Sequence, residues 1–187
     1  MTNNTFQTFT LLGFKSYLKD TAVVYGFHPT QFGEALVLRT PLGICGLAFT
    51  SALSREDCLK AITKGYTSAR LIESPTQTQP LIDAILKAQP VSLLLHGTPF
   101  QIKVWQALLT IPKGKVVSYH DISKTIGMPQ AYRAVANAVG RNQISYLIPC
   151  HRIVRKSGAL GGYRWGPSLK AQLLKYEGIK GRTNLKT

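Results

Sequence analysis

The stretch SYHDISKTIGMPQAYRAVANAVG, residues 118–140, predicts two short helices separated by a tight turn. Ser118 can cap the first helix, in which Ile122 and Ile126 lie on one face. A Gly-Met-Pro turn follows, and the second helix is predicted over residues 130–139. This spacing is typical of a helix-turn-helix, whose second helix enters a groove of DNA.

The second predicted helix carries polar residues on its outer face. Gln130, Arg133 and Asn137 are spaced so that they share that face, and small residues such as Ala134 keep the helix slim. A slim helix suits close approach to a narrow groove. Taken alone, Arg133 would more often be an ordinary solvated charge than a specific contact.

Two more helices are predicted on either side of this pair. Thr98-Pro99-Phe100-Gln101 combines a capping threonine, a proline at the first helical position and a glutamine three residues after the cap. A final helix is predicted to start at Gly166-Pro167. Its expected buried stripe consists of Leu169, Leu173 and Tyr176.

The stretch ISYLIPCHRIV, residues 144–154, begins with an apolar run over residues 144–148 that is predicted to form a strand leading into Cys150. His151 and Arg152 follow the cysteine directly. The thiolate is the reactive form of cysteine, and the pKa of a thiol falls beside a protonated histidine or an arginine. We therefore expect Cys150 to be an activated nucleophile, although most cysteines are small buried hydrophobes.

Two side chains are candidates for supporting Cys150. Asn142 lies in the turn after the second helix, where it can brace the nucleophile's loop or simply cap the helix. Glu177 falls on or beside the buried face of the final helix, and a buried carboxylate needs a partner, either His151 or Arg152. A histidine oriented by Glu177 is a better base toward Cys150, and the link can run through water because neighbouring strand residues point apart.

The composition limits the class of protein. The chain has 187 residues, enough for one large domain or two small ones with real cores. Its three cysteines imply no disulfide framework and favour a reducing compartment. We expect a cytoplasmic protein, associated with the nucleoid in a bacterium or located in the nucleus of a eukaryote. Cys45 and Cys58 are interpreted as packing residues. No cysteine–histidine spacing predicts a metal site, and neither a signal peptide nor a membrane span is predicted.

Positive charge is the second strong signal. Lys+Arg number 23 against 8 Asp+Glu, which gives a net charge of +15 and a pI of about 10.0. Such an excess indicates a polyanionic partner, nucleic acid before any other. Binding to a membrane surface would instead be indicated by one basic amphipathic helix, whereas here the positive charge is spread along the chain.

The chain is predicted to form an α/β domain over residues 1–92, a second domain over residues 93–180 and a basic tail over residues 181–187. Hairpin chemistry at Thr40-Pro41-Leu42-Gly43 joins two of the strands in the first domain. The strands expected there are 21–27, 36–39 and 44–49, and the helices are 54–64, capped by Ser54, and 81–88.

These residues resemble the O6-alkylguanine-DNA alkyltransferases, also called methylated-DNA–protein-cysteine methyltransferases, and most of all the alkyltransferase domain of the bacterial adaptive-response protein. The likeness covers about residues 97–178. It is carried by Pro149–Arg152, Gly161–Gly166 and Leu173–Glu177, with Phe100–Trp105, Val117–Tyr119 and Arg133–Val135 in the same order and spacing.

The resemblance implies an RNase-H-like α/β N-terminal domain and a mainly α-helical C-terminal domain with a winged-helix-like helix-turn-helix. It implies a monomer without a cofactor that acts on double-stranded DNA and not on membranes. An alkyl group would pass from O6 of guanine, or O4 of thymine, to Cys150, once per molecule. The recognition helix would enter the minor groove, and the damaged base would be flipped into a pocket.

The resemblance also assigns roles to residues. His151, through water, would be the base, Glu177 would orient it, Asn142 would brace the loop, and Tyr119 would assist flipping and donate to the leaving guanine. Arg133 would fill the hole left in the base stack. The remaining expected substrate and DNA contacts are Ser118, Gln130, Ala134, Asn137, Arg141, Arg152, Ile153, Tyr163 and Arg164.

Some features differ from the family, and other functions compete. The chain lacks the cysteines of a structural zinc site and the separate phosphotriester-repair region, so no regulatory role is expected. Arg164-Trp165 predicts a bulky pocket rim that slows benzyl transfer relative to methyl transfer.

The competing functions are a lesion-binding protein without activity, a helix-turn-helix regulator and a cysteine hydrolase.

Overall fold

The computed structural model describes residues 4–67 and 69–179, so the tail predicted for residues 181–187 lies outside the described residues. The helices are α1 (Leu11–Lys19), α2 (Arg55–Thr63), α3 (Pro75–Leu86), α4 (Pro99–Leu109), α5 (Tyr119–Thr125), α6 (Tyr132–Gly140) and α7 (Pro167–Tyr176). The strands are β1 (Thr5–Thr10), β2 (Ala22–Thr30), β3 (Gly33–Thr40), β4 (Gly43–Phe49), β5 (Arg70–Glu73), β6 (Ser92–Gly97), β7 (Val117–Ser118) and β8 (Ile153–Val154).

A six-stranded mixed sheet forms the N-terminal half, in the order β1-β6-β4-β3-β2-β5. Strands β2, β3 and β4 form an antiparallel meander, whereas β1 and β5 add in parallel to β6 and β2. The predicted hairpin is confirmed, with Thr40 paired to Gly43 across the turn. Residues of β3 and β4 are mostly buried, because helices and the C-terminal half cover the sheet.

Several elements of the N-terminal half differ from the expectation. Helix α3 begins at Pro75 rather than at residue 81, because Pro75 occupies the first helical position although the following residues are threonine and glutamine. The predicted boundary between residues 92 and 93 falls inside β6, which pairs with β1 up to Gly97. Helix α1 and strands β1, β5 and β6 are absent from the sequence-based prediction.

Helices α4, α5, α6 and α7 make up most of the C-terminal half. The predicted caps of α4 and α5 are confirmed, each as a reciprocal capping box, with Thr98 paired to Gln101 and Ser118 to Asp121. Helix α6 starts at Tyr132, two residues later than predicted, because the turn after α5 continues through Ala131. In α7, Tyr176 is 42% exposed and does not join the buried stripe; Lys170 and Leu174 do.

The two halves share one continuous core and a short backbone connection. The Leu47 amide donates to the Gln143 carbonyl at 2.9 Å, and the Ser145 amide donates back to the Leu47 carbonyl at 2.8 Å. Strand β4 therefore extends onto the loop that precedes Cys150. A second small ladder pairs β7 with β8 in parallel, with Val117 opposite Ile153. None of the described helices is long and apolar enough to cross a membrane.

Replacing Gly26 with alanine is expected to destabilise the N-terminal sheet by about 1–3 kcal/mol, because a methyl group there has no room. Its Cβ would overlap the Thr78 hydroxyl and lie 2.8 Å from the Pro75 Cα. Chemical denaturation measures the effect. Gly140→Ala is the control, since nothing lies within 4 Å of a Cβ at that exposed helical position; equal unfolding free energies for the two variants would contradict the prediction.

Candidate active site

The loop that carries Cys150 is not a strand. Ile144 forms only an isolated bridge to Leu47, and Cys150 opens a short 3₁₀ helix, Cys150–Arg152. Tyr146 has a φ of +65°, a left-handed backbone conformation that residues other than glycine rarely adopt. The predicted strand over residues 144–148 is therefore wrong, because side-chain hydrogen bonds from a neighbouring asparagine replace ladder pairing.

Asn142 is that asparagine, and it is only 3% exposed. Its amide nitrogen lies 3.1 Å from the Cys150 sulfur and 3.0 Å from the Ile148 carbonyl, and its amide oxygen accepts the Ile144 amide at 3.0 Å. The side chain thus bonds the loop and the nucleophile, while Arg141 occupies the C-cap of α6. The Asn142 side chain is therefore bonded within its own loop and does not cap α6.

Burial has the largest effect on the pKa of the Cys150 thiol. Burial raises the pKa of Cys150 above its usual value, although the Asn142 amide and the Lys170 ammonium act in the opposite direction. The expected lowering of this pKa by its sequence neighbours is wrong. His151 is kept neutral by burial, which lowers its pKa, and the Arg152 charge is paired with a carboxylate.

Glu177 holds the two residues that follow the nucleophile. Its Oε1 lies 2.9 Å from His151 Nε2 and 2.8 Å from the Arg152 guanidinium, whose Nε donates to Oε2 at 2.9 Å. Burial acts to raise the pKa of Glu177, but the hydrogen bonds from His151 and Arg152 outweigh it and hold that pKa at about 2. Glu177 therefore pairs with both partners that the sequence suggested.

The ionised Glu177 decides which nitrogen of His151 carries the proton. A carboxylate accepts, so Nε2 is the protonated nitrogen and Nδ1 keeps its lone pair. Nδ1 is buried and has no hydrogen-bond partner among residues 4–67 and 69–179. The Tyr146 ring stacks on the imidazole at 6.1 Å between centroids. His151 is thus a neutral imidazole with an unused acceptor, as a general base requires.

Two tyrosines lie near the sulfur. The Tyr163 hydroxyl is 2.6 Å from Ser145 Oγ, and the Cys150 sulfur is close enough to affect its pKa. Tyr119, the first residue of α5, is half-buried, and burial and the charge of Cys150 raise its pKa. Ile153 is buried beside them. Trp165 is only 1% exposed, so the predicted rim of Arg164 and Trp165 is wrong for the tryptophan, which packs in the core.

Lys170 is a buried residue that the sequence analysis did not select. Its ammonium donates to the carbonyls of Ile153, at 2.5 Å, and of Leu160. Burial lowers its pKa to about 8, against the opposing charge of Cys150. The sequence pattern that could have identified this residue is a lysine directly after Leu169, on the apolar face of α7. The effect of Lys170 is to connect β8 and the glycine-rich loop of residues 157–163 to α7.

The expected DNA contacts separate into two groups. Five are exposed on or next to α6: Gln130, Arg133, Ala134, Asn137 and Arg141. The Arg152 guanidinium is instead engaged by Glu177 and the Ile111 carbonyl, so it is not available to DNA as predicted. The Ser118 hydroxyl caps α5, and the Arg164 side chain donates to the Ala61 carbonyl at 2.8 Å. Across the described part of the chain, no three metal-ligating side chains cluster.

The comparison with known proteins agrees with this geometry. The model of the 6-O-methylguanine DNA methyltransferase DNA-binding domain matches residues 99–179. The Ada protein of Escherichia coli, a bifunctional transcriptional activator and DNA repair enzyme, is 40% identical over 185 residues, which cover 87% of this chain and 52% of Ada. The chain therefore spans about half the length of that relative.

Two further relatives are covered over most of their length. The inducible methylated-DNA–protein-cysteine methyltransferase of Bacillus subtilis is 35% identical over 71% of this chain and 79% of its own. The crystal structure of the Mycobacterium tuberculosis O6-methylguanine methyltransferase superposes with a TM-score of 0.67 at 30% identity, over 87% of this chain and 97% of that chain. The mixed α/β fold, the buried cysteine site and these relatives show that the chain belongs to the methylated-DNA–protein-cysteine methyltransferase family.

Proposed function

We propose that this protein repairs alkylated DNA by moving an alkyl group from O6 of guanine, or O4 of thymine, to the Cys150 sulfur. The observation that carries the proposal is one buried sulfur in contact with Asn142 and followed directly by a histidine paired with Glu177. The carbon–oxygen bond breaks as the sulfur–carbon bond forms. The thioether is not reconverted, so each molecule acts once.

The resting thiol needs a base, because burial raises its pKa. In the proposal, the Cys150 proton passes through a water molecule to Nδ1 of His151, and Glu177 stabilises the imidazolium that results. Tyr119 supplies a proton to the leaving guanine. Asn142 donates to the sulfur and so favours its ionised form.

We infer that α5 and α6 act as a winged-helix-like helix-turn-helix that enters the minor groove of duplex DNA. The exposed face of α6 supports this, since Ala134 and Gly140 leave it slim while Arg133 extends from it. A groove of about 380 Å³ beside α5 is lined by Lys124, Arg155 and Lys156, against one carboxylate, Asp121, and so offers net positive charge for the phosphates. The flipped base would then reach Cys150.

The proposal also includes expectations about the fold of the N-terminal half, the cellular compartment and the oligomeric state. The β2–β3–β4 meander with β5 parallel to β2 supports an RNase-H-like N-terminal half. The free cysteines Cys45, Cys58 and Cys150 fit a reducing compartment such as the cytoplasm. A monomer suffices for the chemistry, because the candidate nucleophile, base and brace all come from one chain.

Cys150→Ala is expected to abolish alkyl transfer while duplex binding persists, because only the acceptor atom is lost. Peptide mass spectrometry after mixing with O6-methylguanine duplex is the measurement. Cys58→Ala is the control and should still gain one methylene unit on the Cys150 peptide. Burial raises the pKa of Cys58 to about 11, which leaves it unreactive. Methylation of the Cys150→Ala variant elsewhere, with repair intact, would exclude Cys150 as acceptor.

Glu177→Gln is expected to slow transfer at neutral pH by about 100-fold, because the imidazolium loses its carboxylate partner. The loss should shrink as pH rises, since hydroxide then ionises the thiol, whose pKa is raised by burial. Rate constants of the folded protein across pH measure this. Glu56→Gln, in a fully exposed ion pair with Lys60, is the control. An unchanged pH profile for Glu177→Gln would remove the assigned role.

Arg133→Ala is expected to slow repair of duplex DNA much more than reaction with the free O6-alkylguanine base, because a free base leaves no hole in a stack. Arg133 now rests over the Tyr132 ring at 5.8 Å and is exposed. Arg70→Ala on exposed β5 removes an equal charge away from α6 and serves as the control. If both substrates slow equally, Arg133 has no stack-filling role.

A further inference from the structure

The residue after Asn142 is bonded to the N-terminal half. Tyr66 follows α2 and is 6% exposed. Its hydroxyl lies 3.4 Å from the Gln143 side chain, 3.2 Å from the Cys45 carbonyl and 3.1 Å from His96 Nε2. One hydroxyl therefore joins β4, β6 and the loop that carries the active-site asparagine.

The Tyr66 hydroxyl has one proton and three polar neighbours. The Cys45 carbonyl and Gln143 Oε1 can only accept, so the hydroxyl donates toward these oxygens. His96 Nε2 lies 3.1 Å from the same hydroxyl oxygen, and burial lowers the pKa of His96 to about 4 and keeps it neutral. The hydroxyl is therefore a shared partner of the Cys45 carbonyl, the Gln143 side chain and the His96 ring.

The cluster is rigid on its N-terminal side. Phe14 stacks on the His96 ring, with centroids 3.8 Å apart and an angle of 8° between planes. The same phenylalanine meets Tyr66 edge-on at 5.2 Å. Tyr66 is thus held by packing against α1 and β6, and its hydroxyl is a fixed partner for the loop that carries Asn142.

The loop side of the cluster borders a small internal space. A cavity of about 10 Å³ is lined by Cys45, His96, Asn142 and Gln143, among others. On this side, the Tyr66–Gln143 hydrogen bond and the backbone bonds to Leu47 add to the bonds that Asn142 makes within its own loop. A shift of Asn142 into this space would lengthen its 3.1 Å contact with the Cys150 sulfur.

We propose that Tyr66 is a positioning residue for alkyl transfer, whose hydroxyl, held by His96, fixes Gln143 and through it the contact between Asn142 and the Cys150 sulfur. The inference rests on the proposed function. It makes the N-terminal half part of the reaction without any contact to substrate.

Tyr66→Phe removes the hydroxyl and keeps the ring. Single-turnover kinetics separate positioning from folding, because the amplitude counts active molecules and the rate constant reports their geometry. The rate constant at saturating methylated duplex should fall about tenfold, the equivalent of about one hydrogen bond. Reaction with the free O6-benzylguanine base should fall by the same factor, and the duplex dissociation constant should not change.

Thr78→Val is the matched control. The buried hydroxyl of Thr78, in α3, forms a 2.7 Å hydrogen bond with His28 and lies away from the loop that carries Asn142. Its loss should lower stability but leave the rate constant unchanged. Gln143→Leu removes the Tyr66–Gln143 hydrogen bond from the loop side and repeats the test if Tyr66→Phe does not fold. An unaltered rate constant in the folded variants, or an equal fall in Thr78→Val, would overturn the inference. A wild-type protein that transfers no alkyl group would overturn the proposed function itself.

Discussion

One buried carboxylate organises the C-terminal half. Glu177 ends α7, and it meets the 3₁₀ helix through His151 and the end of α4 through Arg152, which also donates to the Ile111 carbonyl. An unpaired charge at this depth would cost several kcal/mol, so the carboxylate holds both partners in place. The same pairing selects the histidine tautomer. Packing of α7 and chemistry at the nucleophile therefore depend on a single group.

The site combines a protected thiol with local means of ionising it. Burial disfavours the thiolate of Cys150, which limits reaction with ordinary electrophiles in solution. The donors that favour the charged form, Asn142 and Lys170, are themselves buried and fixed by backbone carbonyls. In the proposed mechanism, the reactivity of Cys150 therefore depends on a base and a bound substrate, because burial disfavours the thiolate of the resting cysteine.

Sequence patterns predicted the features that depend on near neighbours. The caps at Ser54, Thr98 and Ser118 are bonds between residues three apart, and all three form. Strand β6 was missed because its pairing with β1 joins residues far apart in the chain. The pKa of Cys150 was expected to fall because charges next in sequence are visible, whereas burial is not. Lys170 was overlooked for the same reason.

The small ladder between β7 and β8 has a geometric consequence. Val117 and Ser118 lead straight into α5, while Ile153 and Val154 leave the turn that presents the sulfur. The element that would lie against a duplex and the atom that would react are therefore connected through this paired ladder and one short 3₁₀ helix. If the proposed function holds, this connection sets the distance from α5 to the sulfur, and a base would have to leave its helix over that distance to react.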